Sequence, residues 1–216
     1  MPTSETVYIV DDDANFSRGL ARLVRAAGWS VETFASATEF LAADGKGAQG
    51  LACVLLDVRM PGMRGPELYR TMLDRKMDLP VIFLTGHGDV PTSVEAMKRG
   101  AVDFLEKPVR AEQLVGAIRT AIARHGVDRK RASDRNEIES RLALLSARER
   151  EVMRHVIAGR LNKQIAGDLE ISVKTVKAHR AKVMAKMEAK SVPALVDLCR
   201  AAGVAAAAPV QSPSVA

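Results

Sequence analysis

Apolar and polar positions along the first 125 residues follow two alternating periods. Mostly apolar runs of strand length occur at Val7–Val10, Ser30–Phe34, Ala52–Leu56, Val81–Thr85 and Ala101–Leu105. Between and after them, Asn15–Ala27, Ala37–Ala43, Gly65–Arg75, Val90–Arg99 and Ala111–Arg124 repeat apolar residues at the spacing of amphipathic helices. Strands alternating with helices of this length predict βαβ units, and hence a parallel sheet with helices on both faces. An uninterrupted run such as Ala52–Leu56 suits a strand buried on both sides.

The pattern changes after His125. Residues 126–141, GVDRKRASDRNEIESR, hold one aliphatic residue beyond the first valine. Such a segment cannot build a core of its own, so it reads as a polar linker, with an exposed helix as the alternative. Helical periodicity returns from Leu142 to Gly203 without a strand, and residues 205–216, rich in alanine and proline, read as a disordered tail. The fold class expected is therefore α/β, a flavodoxin-like doubly wound (βα)5 domain over residues 1–125. A linker joins it to an all-α domain over residues 142–204. A doubly wound sheet carries its working site beyond the carboxyl ends of its strands.

Those ends are polar in a selective way. The first run leads into Asp11, Asp12 and Asp13, and the third into Asp57 just before the turn signal Pro61-Gly62. The fourth ends in Thr85, and Lys107 follows the fifth, before Pro108. A carboxylate is costly to bury unpaired, and neighbouring carboxylates repel unless a cation lies between them. Oxygen donors of this kind suit Mg²⁺. A metal beside Asp57 would neutralise an incoming phosphoryl group and let the carboxylate act as nucleophile. Lys107 and Thr85 could then hold the phosphoryl oxygens. These residues supply what an acyl phosphate on Asp57 requires.

Composition narrows the class. With 47% hydrophobic and 27% charged residues among 216, the chain has the balance of a soluble globular protein. No run approaches the ~18 apolar residues of a membrane span. The opening MPTSETVYIV lacks the basic and long apolar regions of a secretory signal, so a cytoplasmic protein is expected. Cys53 and Cys199 sit in apolar runs and read as small buried hydrophobes. Charge is unevenly divided. Residues 1–125 carry 15 basic and 16 acidic side chains, whereas the remaining residues carry 17 and 10. The excess in the second half points to a polyanion as its partner.

That half contains a further signal. Ser146 and Glu149 form an S-x-x-E capping box opening a helix through Ile157, and Ala158-Gly159 stops it. Lys163–Leu169 forms a short helix, Glu170-Ile171-Ser172 a tight turn, and Val173–Met187 a third helix with Val173, Val176, Val183 and Met187 as its buried stripe. Two helices joined by about three residues are the DNA-binding helix-turn-helix arrangement. Lys174, Lys177, Arg180 and Lys182 would present cations to phosphates and base edges.

Residues 5–124 resemble the receiver domain of two-component response regulators, through "VDDD", "LLDVRMPGMRG", "FLTGHGD" and "DFLEKPV". With "LSAREREV", "GRLNKQIAGDL" and "ISVKTVKAHRAKVMAKM", the whole chain resembles the NarL/FixJ group with a LuxR-type helix-turn-helix. The "TGHGD" loop makes the FixJ branch the nearer comparison. The resemblance implies that Asp57 is the phosphoacceptor, and that Asp12, Asp57 and the backbone carbonyl of Arg59 hold Mg²⁺ or Mn²⁺ with Asp11 supporting. It implies Thr85, Lys107 and the rotamer-changing Phe104 as the switch, a cis bond at Lys107-Pro108, and a supporting role for Asp13. In the second domain it places Lys177 and Ala178 at base edges, and Lys163, Lys174, Thr175, Arg180 and Lys182 on the phosphate backbone. Ala181 departs from relatives that carry a second base-reading cation. The partners implied are a sensor histidine kinase, double-stranded DNA, RNA polymerase and, after phosphorylation, a second copy through the surface of Val90–Gly100 and Ala101–Glu106.

Other readings predict different chemistry. A phosphohydrolase would use Asp11 as nucleophile and Asp13 as acid/base, but Asn15 departs from the pattern of haloacid-dehalogenase-like enzymes and no cap insertion is evident, so a non-enzymatic regulator is expected. A ligand-responsive LuxR regulator would need an apolar pocket, which 4% aromatic residues disfavour. A receiver acting only through protein contacts would not need Lys177. His87 reads as a solvent-facing loop residue, His125 and His155 match no ligand set, and His179 reads as a packing or phosphate-contacting residue.

Overall fold

The computed structural model describes residues 5–43, 50–86 and 97–207. Five strands, β1 (Thr6–Val10), β2 (Ser30–Phe34), β3 (Ala52–Asp57), β4 (Val81–Thr85) and β5 (Asp103–Glu106), form one parallel sheet in the order β2-β1-β3-β4-β5. The order reverses between β1 and β3, which opens a crevice at their carboxyl ends.

Alternation along each strand explains the apolar runs. Val7 and Ile9 of β1, with Cys53 and Leu55 of β3, face α1 (Ala14–Ala26) and the first half of α4 (Ala111–Ala143). Tyr8 and Val10, with Val54 and Leu56, face α2 (Ala37–Ala42) and α3 (Gly65–Asp74). Both faces are buried, so a polar residue within a central strand would lose about 1–3 kcal/mol or more in desolvation. Cys53 lies wholly inside, and burial pushes its thiol up to about 12.

Three differences from the sequence reading have physical causes. Strand β3 includes Asp57 as its last residue, paired with Leu84. Strand β5 begins at Asp103 rather than Ala101, because the Gly100 turn places Ala101 in the core before the ladder starts at Ile82↔Asp103. The polar segment 126–141 is helical and belongs to the 33-residue helix α4. Ion pairs four residues apart, Arg124–Asp128, Arg135–Glu139 and Glu137–Arg141, line this stretch. The expected helix at 90–99 and the loop carrying His87 lie, but for Met97–Arg99, outside the described residues.

The chain divides into two compact units, Met1–Arg129 and Lys130–Ala216. The second is helical: after the end of α4 come α5 (Ala147–Ile157), α6 (Asn162–Asp168), α7 (Val173–Lys186) and α8 (Val192–Ala201). Ile138, Val152, Ile165, Val176, Val183 and Leu195 meet in its core. The capping box at Ser146 is formed in both directions, with 3.2 Å from the Glu149 amide to Ser146 Oγ and 2.9 Å from the Ser146 amide to Glu149 Oε2. Val173, expected in the buried stripe, is 40% exposed because it is the first residue of α7 and precedes the turn that packs. Ala207, in the segment read as a tail, donates its amide to the Arg154 carbonyl at 3.1 Å. The rest of that tail, from residue 208, lies outside the described residues.

Candidate functional site

Asp57 reaches the crevice because β3 carries it there and α3 starts directly beneath. Gly62 turns the chain with φ 77°, and the Gly65 amide donates to the Val58 carbonyl at 3.1 Å. A Cβ at Gly65 would collide with the carbonyl oxygen of Asp57, so only glycine lets the helix approach this closely. The Asp57 side chain is almost wholly buried.

Asp11, Asp12 and Asp57 offer carboxylate oxygens that all lie within 4.8 Å of one another. Asp11 and Asp57 are buried, whereas Asp12 is exposed. Lys107 Nζ lies 2.6 Å from Asp11 Oδ2 and 3.1 Å from Asp57 Oδ1. Burial raises the Asp57 carboxyl above its ordinary range, with the charge and hydrogen bond of Lys107 acting in opposition. Burial pulls the Lys107 ammonium down, but its bond to Asp11 and the charges of both carboxylates outweigh this and leave it raised. The cluster is hard, anionic and oxygen-only, which is the donor set a Mg²⁺ ion takes. The Arg59 amide contributes a further hydrogen bond to Asp57.

The remaining first-domain residues sit around this centre. The Lys107 amide donates to the Thr85 carbonyl at 2.7 Å, which ties the turn after β5 to the end of β4. Thr85 Oγ1 donates to the Gly86 carbonyl at 2.8 Å. The Lys107-Pro108 bond is cis. Phe104 is half-buried and stacks on Phe83, with ring centroids 5.5 Å apart. Asp13 caps α1: its carboxylate accepts from the amides of Asn15 at 2.8 Å and Phe16 at 3.1 Å. These bonds, that of Phe16 first, hold its carboxyl below the ordinary range.

In the second unit, Lys174, Lys177, Ala178 and Ala181 are all exposed and share one face of α7, while Val176 and Val183 point into the core. Lys163 and Lys182 are also exposed. Thr175 and Arg180 are half-buried and already engaged. The Thr175 hydroxyl lies 2.7 Å from Ser172 Oγ, and Arg180 Nη1 donates to Asn162 Oδ1 at 2.7 Å. Sequence reasoning missed Asn162, and it missed Phe16, whose ring lies under Lys107. It also missed the 2.7 Å pair of Lys186 with Glu149, which ties the end of α7 to the start of α5. The capping box marks Glu149, but no motif marks these pairings, since each joins residues distant in sequence.

Residues 7–119 match the response regulator receiver domain, and residues 143–199 match the bacterial regulatory proteins of the luxR family. The chain belongs to the response regulators that join these two domains. It is 46% identical over 201 residues to the transcriptional regulatory protein FixJ of Rhizobium meliloti strain 1021, covering 93% of this chain and 98% of that one. It is 45% identical to the response regulator protein TmoT of Ectopseudomonas mendocina, covering 88% and 86% of the two chains. Among solved structures, the response regulator StyR aligns with a TM-score of 0.81 and 39% identity, over 91% of this chain and 98% of the other. Full-length FixJ from B. japonicum aligns with a TM-score of 0.55 and 44% identity, over 92% and 97%. This response regulator is therefore a transcription regulator built from a receiver and a luxR-type domain. None of its described helices is long and apolar enough to cross a membrane.

Proposed function

We propose that Asp57 accepts a phosphoryl group from a sensor histidine kinase, and that the acyl phosphate switches how the second domain engages DNA. The observation that carries this reading is the convergence of Asp57, Asp11, Asp12 and Lys107 at the strand ends. A carboxylate oxygen of Asp57 attacks the phosphorus of a kinase phosphohistidine. The P–N bond breaks, and its electron pair stays on the imidazole nitrogen. Asp12, Asp57 and the Arg59 carbonyl, with Asp11 in support, would hold Mg²⁺ or Mn²⁺, which supplies charge neutralisation to the phosphoryl oxygens. Lys107 pairs with one phosphoryl oxygen. Thr85 turns its hydroxyl from the Gly86 carbonyl toward another, and the half-buried Phe104 moves fully inward.

The receiver spans 1–125 and the DNA-binding domain 142–204, joined through 126–141. Phosphorylation drives a homodimer through the surface of residues 90–106, releases the DNA-binding domain, or both. Two copies of α7 then meet two half-sites. Lys177 and Ala178 read base edges, while Lys163, Lys174, Thr175, Arg180 and Lys182 hold phosphates. The complex acts on RNA polymerase in the cytoplasm.

Acetyl phosphate with Mg²⁺, followed by phosphate-affinity electrophoresis, tests the acceptor, and sedimentation velocity with beryllium fluoride tests the assembly. Wild type is expected to be modified and to dimerise, and Asp57→Asn to do neither. Equal modification of both proteins would overturn the assignment of Asp57.

A further inference from the structure

Lys107 meets three neighbours with one ammonium group. Its Nζ lies 2.6 Å from Asp11 Oδ2, 3.1 Å from Asp57 Oδ1 and 4.2 Å from the centroid of the Phe16 ring. An ammonium has three N–H donors and accepts nothing, so two carboxylates and one π face account for all of them. The Lys107 side chain is 21% exposed, which leaves a route to solvent open when a partner withdraws.

The three partners differ in permanence. Asp57 gives up its free carboxylate when it becomes an acyl phosphate, and Asp11 belongs to the acidic cluster that a cation would share. The ring of Phe16 is neutral and competes with neither event. Its place is also fixed. Phe16 stands in the first turn of α1, its amide is held by the Asp13 cap, and its side chain packs against the core beneath the sheet. The acidic run that supplies Asp11 and Asp12 thus also anchors the backbone of the aromatic wall.

We propose that Phe16 is a positioning residue for Lys107. Its ring keeps the ammonium at the mouth of the crevice while the carboxylates change partners, so that the ammonium turns onto the phosphoryl oxygens instead of into solvent. This rests on the reading of Asp57 as the phosphoryl acceptor.

The test uses the full chain, with beryllium fluoride and Mg²⁺ as the phosphoryl probe. Phe16→Leu removes the π face and keeps an apolar side chain, Phe16→Met repeats this with an unbranched one, and Phe16→Tyr restores the face. Leucine and methionine are expected to weaken beryllium fluoride binding about 3–10-fold, with tyrosine close to wild type. Mg²⁺ binding measured alone is expected to stay unchanged. In a Lys107→Ala background, Phe16→Leu is expected to add no further loss, whereas a merely structural effect would persist. The methylene protons next to Lys107 Nζ are expected to carry an aromatic ring-current shift in wild type that disappears in Phe16→Leu. Binding by Phe16→Leu equal to wild type, a loss that persists without Lys107, or no ring-current shift would each overturn the proposal. Wild-type protein that fails to bind beryllium fluoride would instead overturn the acceptor reading, and this inference with it.

Discussion

Lys107 lies 3.1 Å from Asp57 and 2.6 Å from Asp11, so one ammonium pairs with both buried carboxylates of the crevice. Truncating one partner of a buried pair leaves the other charge uncompensated, typically at 3–5 kcal/mol. Lys107 is partly exposed, which discounts this to about 2 kcal/mol for Lys107→Ala. The loss is expected in urea unfolding with chelator present. Mg²⁺ is expected to recover part of it, because an ion that binds only the folded site stabilises by mass action. Equal stability of wild type and variant in chelator would show that the lysine is not neutralising the pair.

Gly65 gives a test of how tightly the site is built. A methyl group there meets backbone, the carbonyl oxygen of Asp57, and backbone cannot move aside as a flexible side chain can. Gly65→Ala is expected to cost about 1–3 kcal/mol, as overpacking does in well-filled interiors. It is also expected to slow modification of Asp57 by acetyl phosphate, because relief of the clash must shift the end of β3 or the start of α3. Calorimetry and phosphate-affinity electrophoresis read the two effects separately.

What was legible in the sequence had a local cause. The central strands β1, β3 and β4 declared themselves because both faces are buried, which removes polar residues from Ala52–Leu56 and Val81–Leu84. The convergence of Asp11, Asp57, Thr85 and Lys107 followed once the strands were parallel, since topology alone brings their ends together. The Ser146 cap was legible because it is completed within four residues. The helical character of 126–141 was not settled, since charge pairing without an apolar stripe fits a solvated coil equally well. Phe16 under Lys107, Asn162 against Arg180, and His125, whose Nδ1 accepts from the Ala52 amide at 2.9 Å, are contacts that only the folded chain creates. Asp13 was legible as acidic but not as a cap, because a metal cluster and a helix start ask for the same side chain.

The face of α7 predicts a division of labour on DNA. Lys177→Ala is expected to cost about 1–3 kcal/mol at the preferred operator and to relax discrimination at one base pair. Lys182→Ala is expected to weaken binding to all sequences alike and to lower the slope of log affinity against log salt by about one. Fluorescence anisotropy on specific and scrambled duplexes over a salt series separates the two. A Lys177 variant that loses affinity equally on both duplexes would move that residue from base edge to phosphate.

The pair of Glu149 with Lys186 is expected to make the stability of the second domain depend on acid. The bond from Lys186 at 2.7 Å, then the Ser146 amide, hold the Glu149 carboxyl at about 2, well below its ordinary value of 4.5. A depressed folded value means that the unfolded chain binds the proton first. The stabilisation is therefore complete above the ordinary value, falls as pH drops below it, and is gone once pH passes about 2. Glu149→Gln keeps an acceptor for the Ser146 amide but loses the charge. It is expected to cost about 1–2 kcal/mol at neutral pH, the scale of one charge-assisted hydrogen bond at a half-exposed lysine. Its penalty is expected to shrink toward zero in acid, where wild type is protonated as well. Amide hydrogen exchange in α5 and α7, followed for both proteins across that pH window, measures it. A penalty that stays constant would place the stabilisation in packing of the side chain and not in its charge.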